Sequence, residues 1–228
     1  LLQELSINFM QENIYMEIKV TDYPNSFLKV TLDKDESIIT EKGSFIYGDS
    51  NFSSENKIEF KSYKNLIAKI GGKSFFYVSY KAKEHISLVL GTRDNSELML
   101  IKITESNPIM IKADSHFART SGVELKIVEK KISGLLDGGF WMDVLGTGYL
   151  VIKGYGSIIK MDINRQKPLL VEEDSLIAIE KQIDFNIIDT KISDELTQLL
   201  KSGVEVPFSI NGKGIIYLQS KGRYAIHD

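Results

Sequence analysis

A repeat inside the chain constrains the fold more than any other feature, because a missed repeat leads to the wrong architecture. Three stretches align without gaps: residues 27–48 (FLKVTLDKDESIITEKGSFIYG), 98–119 (LMLIKITESNPIMIKADSHFAR) and 158–179 (IIKMDINRQKPLLVEEDSLIAI). Six columns are apolar except at His116: Val30, Ile101 and Met161; Leu32, Ile103 and Ile163; Ile38, Ile109 and Leu169; Ile39, Met110 and Leu170; Phe45, His116 and Leu176; and Ile46, Phe117 and Ile177. One further column is serine in all three copies, as Ser44, Ser115 and Ser175.

Each copy alternates between apolar strands and polar turns. The pattern predicts an alternating strand, a polar turn at residues 33–36, 104–107 or 164–167, a short strand, a second turn and a third strand. Pro108 and Pro168 share one column next to the predicted turns. Since no long helix alternates with the strands, the sequence favours antiparallel sandwiches over βαβ units.

A second half-motif follows each copy. Residues 141–153 (WMDVLGTGYLVIK) align with residues 207–219 (PFSINGKGIIYLQ), and residues 75–89 form a looser version without the glycines. The linkers at 53–72, 128–139 and 190–206 are where short helices are expected. The last linker is the best candidate, because Ser193 can cap a helix and Gly203 can end it.

The repeat divides the chain into an extension and three units. We predict an extension at 1–15, to which we assign no function, and β-units at 16–96, 97–156 and 157–228. A unit of about 60 to 70 residues is marginally stable alone, so neighbouring units are expected to share core. We predict an all-β protein whose three antiparallel sandwich units pack about a pseudo-threefold axis. Trp141 is expected to fill a junction between units.

Composition narrows the range of partners and compartments. The 228 residues include 28 basic and 31 acidic side chains, a net charge of -3, which disfavours nucleic acid and anionic membrane as default partners. Without cysteine there is no disulfide framework and no thiolate metal site. No apolar run approaches the roughly 20 residues of a membrane-spanning helix. We therefore expect a cytoplasmic protein with no transmembrane segment.

The residues that could carry chemistry are scattered. His85, His116 and His227 lack the close spacing of metal ligands. The glycine pairs at 146–148 and 154–156 precede no helix that could bind phosphate, which predicts hairpin turns. The repeated serine has no matching histidine to activate it and is interpreted as a turn cap. The acidic runs at 33–36 and 172–174 lie in predicted turns.

We accordingly predict no catalytic, cofactor-binding or metal-binding residues, no cofactor and no enzyme activity. The best candidate for a nucleic-acid surface is the aromatic run 75–77 with Tyr80, close to Lys61, Lys64, Lys69 and Lys73. A core strand beside a solvated linker is the favoured interpretation of that run.

Several segments resemble the mitochondrial-biogenesis family named for altered inheritance of mitochondria and formerly classed as a domain of unknown function. The resemblance rests on residues 28–32, 36–38, 43–45, 71–76, 121–125, 146–148, 154–156 and 211–220, and it covers about residues 16–222. It implies a fold like that of the tryptophan RNA-binding attenuation protein, repeated within one chain, with no established activity and no known catalytic residues. The lysine-rich segment 57–70 departs from the glycine-rich one of many relatives.

Three classes of function remain open. The leading hypothesis is a non-catalytic assembly or binding protein whose partners are other proteins or copies of itself. The alternative is a protein that binds single-stranded RNA or DNA. A small-molecule-binding or metal-dependent enzyme is the least supported.

Overall fold

A computed structural model describes residues 7–8, 16–21, 26–58, 76–128, 141–187 and 207–222, and these residues form an all-β structure. The strands are β1 (Ile7–Asn8), β2 (Glu17–Val20), β3 (Phe27–Leu32), β4 (Ser37–Glu41), β5 (Phe45–Gly48), β6 (Phe52–Ile58), β7 (Phe76–Ala82), β8 (Ile86–Gly91), β9 (Ser96–Ile103), β10 (Ile109–Lys112), β11 (His116–Thr120), β12 (Val123–Ile127), β13 (Trp141–Gly146), β14 (Gly148–Tyr155), β15 (Ile158–Glu172), β16 (Leu176–Glu180), β17 (Asp184–Ile187) and β18 (Pro207–Gln219). A 3-10 turn, Ala113–Ser115, precedes β11. The all-β prediction is confirmed.

The helices predicted in the linkers are not tested, because residues 59–75, 129–140 and 188–206 lie outside the described part of the chain. The first linker was placed too early. Its opening residues continue β6, which pairs with β7 over its whole length, from Phe52 opposite Ala82 to Ile58 opposite Phe76.

The strands pair into three antiparallel sheets. The first sheet has the order β1-β2-β3-β8-β5, and the second has the order β6-β7-β4-β11-β14-β9. The third has the order β12-β13-β10-β16-β18-β15, with β17 also paired to β18. The extension predicted at 1–15 contributes β1, whose Ile7 lies opposite Ile18 of β2. No helix among the described residues is long and apolar enough to cross a membrane.

Alternation of side chains explains why these segments become strands. In β3, Leu28, Val30 and Leu32 are fully buried, while Lys29 between them points to solvent. A period of two residues places all apolar side chains of such a strand on one face. The strand therefore forms one wall of a core and exposes its other face.

The pairing registers follow the gapless alignment of the sequence. Leu28 lies opposite Leu90, Met99 opposite Ile152 and Ile159 opposite Leu218, and the first members of these pairs occupy one column. A register shift skips Ile46 in β5, Phe117 in β11 and Ile177 in β16, which also share a column. Ser44, Ser115 and Ser175 each end the turn before the shifted strand.

The first two predicted polar turns are present and the third is absent. At 33–36 the Glu36 N–H donates to Asp33 O at 3.0 Å, and the Asp33 N–H donates to the Glu36 carboxylate at 2.7 Å. Lys167 holds the position of Glu36 in the third copy, and a lysine offers no acceptor for such a bond. There β15 continues through residues 164–167 opposite β18, with a register shift between Arg165 and Leu169.

Three hydrophobic clusters fill the interior, and the first two each take side chains from the strands that follow. The first is built from β2, β3, β4, β7 and β8, and it also contains Leu98, Phe117, Ala118, Tyr149 and Val151. The second gathers β10, β12 and β13 and also contains Ile158, Ile177, Ala178 and Tyr217. The third consists of residues from β15 onward together with Trp141. We divide the strands into three successive groups, β1–β8, β9–β14 and β15–β18. Cores are thus shared where successive groups of strands meet.

Candidate functional site

Two strand pairings join successive groups of strands, and we call them the first and second joints. In the first joint β4 pairs with β11, placing Ile38 opposite Thr120, Ile39 opposite Arg119 and Thr40 opposite Ala118. In the second joint β10 pairs with β16, placing Ile109 opposite Glu180, Met110 opposite Ile179 and Ile111 opposite Ala178. By the sequence alignment the two joints use the same columns in the same register.

The first joint contains a buried polar cluster. His116 is 3% exposed and Arg119 is 2% exposed. The Tyr77 ring lies edge-on to His116 at 4.8 Å, and the Arg119 guanidinium lies 5.0 Å from the centre of that ring. Arg119 also donates through Nε to Val123 O at 3.1 Å. The cation is therefore held by an aromatic face and a backbone carbonyl inside the joint.

His116 is neutral in this cluster. Arg119 Nη1 lies 3.2 Å from His116 Nε2, and because a guanidinium can only donate, Nε2 accepts and the ring proton is on Nδ1. Burial lowers the pKa of His116 well below its usual value, and the positive charges of Arg119 and Lys153 lower this pKa further. Such an imidazole is kept neutral and away from solvent.

The first joint also carries an ion pair and a hydroxyl network at its end. Lys153 Nζ lies 2.6 Å from a Glu41 carboxylate oxygen. Burial alone would lower the pKa of Lys153, but the Glu41 carboxylate holds it above its usual value. Thr40 Oγ1 donates to Phe117 O at 3.1 Å and shares a 3.0 Å hydrogen bond with Ser44 Oγ. These contacts tie the turn of one group of strands to the next.

The second joint is mainly apolar. Trp141, 3% exposed, packs against Phe185 with ring centres 5.4 Å apart, and Phe185 packs in turn on Phe208. Trp141 lies opposite Lys112 of β10, whereas both phenylalanines follow residue 157. The tryptophan therefore lies at the junction between two groups of strands, as the sequence predicts.

One lysine at the second joint is almost fully buried. Lys112 Nζ donates to Glu173 O at 2.6 Å and lies 3.7 Å from the Asp174 carboxylate. Gln219 Nε2 donates to Asp174 O at 2.8 Å, while Gln219 Oε1 accepts from the Tyr155 N–H at 3.0 Å. These polar groups hold the turn at 173–175 against the preceding strands.

A narrow cleft runs between the two lysines. Its lining includes Ser96, Lys112, Ser115, Lys153, Asp174 and Gln219. Both lysines already lie against carboxylates, so the cleft offers no uncompensated positive charge to an anionic ligand. Over the described ranges no group of three His, Asp or Glu side chains is arranged to hold a metal ion.

The other sequence candidates do not converge on these joints. His85 is exposed, with Nδ1 2.6 Å from Asp33 Oδ1, and His227 lies outside the described residues. Gly146 and Gly148 have φ values of +87° and +149° and flank a tight turn. That turn connects β13 to β14, which belong to different sheets, so it is not a hairpin. Gly154 lies inside β14, and the chain after it leads to β15 in a different sheet, so the hairpin predicted at 154–156 is also wrong.

The repeated serines and the acidic runs have local partners. Ser175 Oγ donates to Glu172 Oε2 at 3.0 Å. Ser44 O and Ser175 O accept equivalent bonds, both 2.8 Å long, from the N–H groups of Gly91 and Gln219. The Ser175 hydroxyl therefore caps its turn as predicted, whereas the Ser44 hydroxyl bonds the Thr40 side chain.

The aromatic run is largely internal. Tyr77 and Tyr80 are buried, whereas Phe76 is 39% exposed with Lys42 Nζ 5.6 Å from its ring centre. Phe75 and the four nearby lysines lie outside the described residues. Base stacking needs an open row of rings. Among the described residues of this run, Phe76 is the one exposed ring, so no such row is present there.

Sequence reasoning missed Arg119, Lys112 and Lys153. The signal for Arg119 was present, because its column otherwise holds Gly48 and Ile179. Lys112 shares a column with Glu41 and Glu172, so its charge is reversed relative to both other copies. A polar residue that replaces an apolar or oppositely charged one within a repeat marks a position where the copies have different neighbours.

Two strand edges of the same type as those in the joints remain unpaired among the described strands. The outer edge of β5 corresponds to the edges that β11 and β16 present to the joints. The outer edge of residues 169–172 in β15 corresponds to those of β4 and β10. Ile46 and Tyr47 of β5 are 55% and 63% exposed, and Leu170 of β15 is 45% exposed.

Comparisons with known proteins give a family match and a similar fold. Residues 18–221 match the family model described as mitochondrial biogenesis AIM24. A crystal structure of protein SPYM3_0169 from Streptococcus pyogenes is similar, with a TM-score of 0.69 and 19% sequence identity over 91% of this chain and 94% of that one. No curated protein matches this chain. At that identity the crystal structure supports the fold alone.

Proposed function

The chain belongs to the mitochondrial biogenesis AIM24 family, and from that premise we propose that it is a non-catalytic assembly and binding protein. One observation carries the proposal. The same strand edges that build the two internal joints recur at β5 and at residues 169–172, where they are mostly apolar and are unpaired among the described strands. A protein that displays such edges is equipped to bind another β-strand.

The finer proposal concerns the units themselves. We propose that residues 16–96, 97–156 and 157–228 are three copies of a sandwich like that of the tryptophan RNA-binding attenuation protein, related by a pseudo-threefold axis. The shared columns of the register shifts at Ile46, Phe117 and Ile177 support this division. The equal register of the two joints supports an equivalent rotation at each of them. The edges that would form a third joint, at β5 and at residues 169–172, are unpaired among the described strands.

The absence of catalysis and the cytoplasmic location are part of the same proposal. The polar side chains with the greatest chemical capacity, His116, Arg119, Lys112 and Lys153, are engaged in contacts between strands. A catalytic group has to reach a substrate, and the buried neutral imidazole of His116 is shielded by Tyr77 and Arg119. The cytoplasm stays a prediction from the cysteine-free composition.

Binding of single-stranded RNA or DNA is the less favoured function. The net charge of -3 supplies no general attraction to phosphates. Of the aromatic candidates for base stacking, Tyr77 and Tyr80 are buried, Phe76 is 39% exposed, and Phe75 lies outside the described residues. The remaining argument for this alternative is the fold resemblance.

Capture from the native lysate, run beside a binding assay with a random oligonucleotide pool, tests the proposed function. We expect the wild-type chain to retain protein partners, including untagged copies of itself, and to retain no oligonucleotide at low or high salt. Oligonucleotide binding that weakens as salt rises would overturn the proposal in favour of the nucleic-acid alternative. Retention of neither class would remove the binding function altogether.

A further inference from the structure

We propose that a second copy of this chain completes the series of joints, with β5 of one copy pairing antiparallel to residues 169–172 of the next. The inference rests on the proposed assembly function and names the partner. Each joint pairs an edge of the β4 and β10 type with an edge of the β11 and β16 type. Because three groups of strands are connected by two joints, one edge of each type remains: residues 169–172 and β5. The two remaining edges are complementary to each other.

The exposure of β5 departs sharply from that of its counterparts. Phe45, Ile46 and Tyr47 are 40%, 55% and 63% exposed. The residues in the same columns of β11 and β16 are all at most 3% exposed: His116, Phe117, Ala118, Leu176, Ile177 and Ala178. The three strands have the same bulge, and each pairs on one side with an equivalent strand: β8, β14 or β18. The difference in exposure therefore comes from the other side, where β5 lacks the partner strand that β11 and β16 have.

Residues 169–172, the other free edge, are also more exposed than their counterpart in the first joint. Leu170 is 45% exposed, whereas Ile39, its counterpart in β4, is 6% exposed because β11 covers it. Residues 169–172 pair with β18 along one edge only, among the strands that the structure describes. An apolar strand edge left in this state is a known site of association.

The bulged residue shows what the incoming strand would bring. Phe117 packs into the first hydrophobic cluster and Ile177 into the second, so each crosses its joint into the preceding core. Ile46 occupies the same column and lies outside the third cluster. In the proposed contact, Ile46 of one copy enters the third cluster of the other, beside Val171.

The register of the contact follows from the internal joints. Thr40 lies opposite Ala118 and Ile111 lies opposite Ala178. The same columns place Val171 of one copy opposite Tyr47 of the other. Because the two edges differ, the contact is head-to-tail, and it ends either in a closed ring or in an open chain of copies.

Edge-blocking variants test the contact without touching the internal joints. Native mass spectrometry of the wild type should give multiples of the 25.8 kDa chain mass. Ile46→Lys and Leu170→Lys, each at an exposed position, should each raise the dissociation constant for self-association by roughly 100-fold, because a charge is buried at a strand edge. Leu145→Lys, at a position that is 40% exposed on β13, is the matched control and should assemble like the wild type.

Mixing gives the most specific result. The Ile46→Lys chain keeps a working edge at 169–172, and the Leu170→Lys chain keeps a working β5. Each variant alone should be monomeric, and an equimolar mixture should form a dimer that contains one copy of each. Two variants that stay monomeric when mixed would overturn the head-to-tail contact.

Cross-linking separates pairing between copies from closure within one copy. The chain has no cysteine, so Tyr47→Cys in one preparation and Val171→Cys in another introduce the only two thiols. Directly opposed strand residues lie within the Cα separation that a disulfide spans. We expect a covalent heterodimer from the mixture and none when Leu145→Cys replaces Val171→Cys. A chain carrying both cysteines that oxidises as a monomer would overturn the proposal.

The outcomes also separate this inference from the proposed function. A wild-type chain that is monomeric at every concentration, yet captures a different protein through β5, would contradict self-pairing and leave the binding function in place. Binding of oligonucleotide alone would remove both.

Discussion

The first and second joints share a backbone ladder and differ in the side chains that lie on it. At equivalent positions the first joint has Tyr77, His116 and Arg119, and the second has Trp141, Leu176 and Ile179. All six are buried. The same strand pairing thus accommodates a polar interior at the first joint and an apolar interior at the second.

This difference makes the joints non-interchangeable. If β11 paired with β10 instead of β4, Arg119 would lose the Tyr77 ring and meet the apolar surroundings of Trp141. A buried charge without its partners is strongly destabilising, so the mismatched pairing is disfavoured. Copies of one building block can therefore assemble in a single order because their joint residues have diverged.

The largest expected effect breaks the apolar joint. Trp141→Ala should lower the free energy of unfolding by about 3 to 5 kcal/mol, because it removes a large buried side chain between two hydrophobic clusters. Circular dichroism is the suitable measurement, since Trp141 is the chain's one tryptophan. The transition should remain single and move as a whole.

Trp141→Phe is the matched control. It keeps an aromatic ring against Phe185 and removes an indole N–H that has no hydrogen-bond partner in the described part of the chain. We expect it to cost much less than the alanine change. If amide exchange in Trp141→Ala increased in β16 and β18 while β3 and β8 were unaffected, the joints would be independent and the shared-core account would be wrong.

A smaller effect should come from exchanging His116 and Leu176, which one column places in the first and second joints. Leu176→His should cost about 3 kcal/mol, because it leaves a polar ring unpaired in the third cluster. His116→Leu should cost about 1 to 2 kcal/mol at neutral pH, since Arg119 loses one acceptor and keeps its bond to Val123 O. Chemical denaturation of both variants measures the contrast. Equal losses would show that the joints do not differ in polarity.

Much of the fold could be predicted from the sequence, because alternation and repetition are local signals. The strands predicted around Val30, Ile101 and Met161 are present, and the turns predicted at 33–36 and 104–107 lie where polar residues cluster. The pairing registers then agree with the gapless alignment, since Leu28, Met99 and Ile159 share one column and pair equivalently. The third turn failed because polar composition does not reveal whether an acceptor is present at the Glu36 position, where the third copy has Lys167.

The joints could not be predicted in the same way. Ile38 and Ile109 were correctly placed on strands, yet nothing local states that their neighbours are Thr120 and Glu180. Pairing between copies depends on edges that are far apart in sequence. His116 is recognisable as the polar member of an apolar column, whereas Arg119, which fixes its proton position, lies three residues away in a column that holds Gly48 and Ile179 in the other copies.

The smallest effect sharpens the comparison through pH. In the folded protein the pKa of His116 lies well below its usual value, because the ring is buried and lies near Arg119 and Lys153. The unfolded chain protonates this histidine near pH 6.5, so below that pH the unfolded state binds one more proton than the folded state. The stability contributed by neutral His116 is complete above pH 6.5 and falls by at most about 1.4 kcal/mol per pH unit below it. His116→Leu should lose this component while leaving the other titratable groups in place. The free energy of unfolding, measured at pH 7.5 and at pH 5.5 for both chains, should therefore decrease more in the wild type than in the variant. An equal decrease would mean that His116 is protonated in the folded first joint and that its polar cluster is open to solvent.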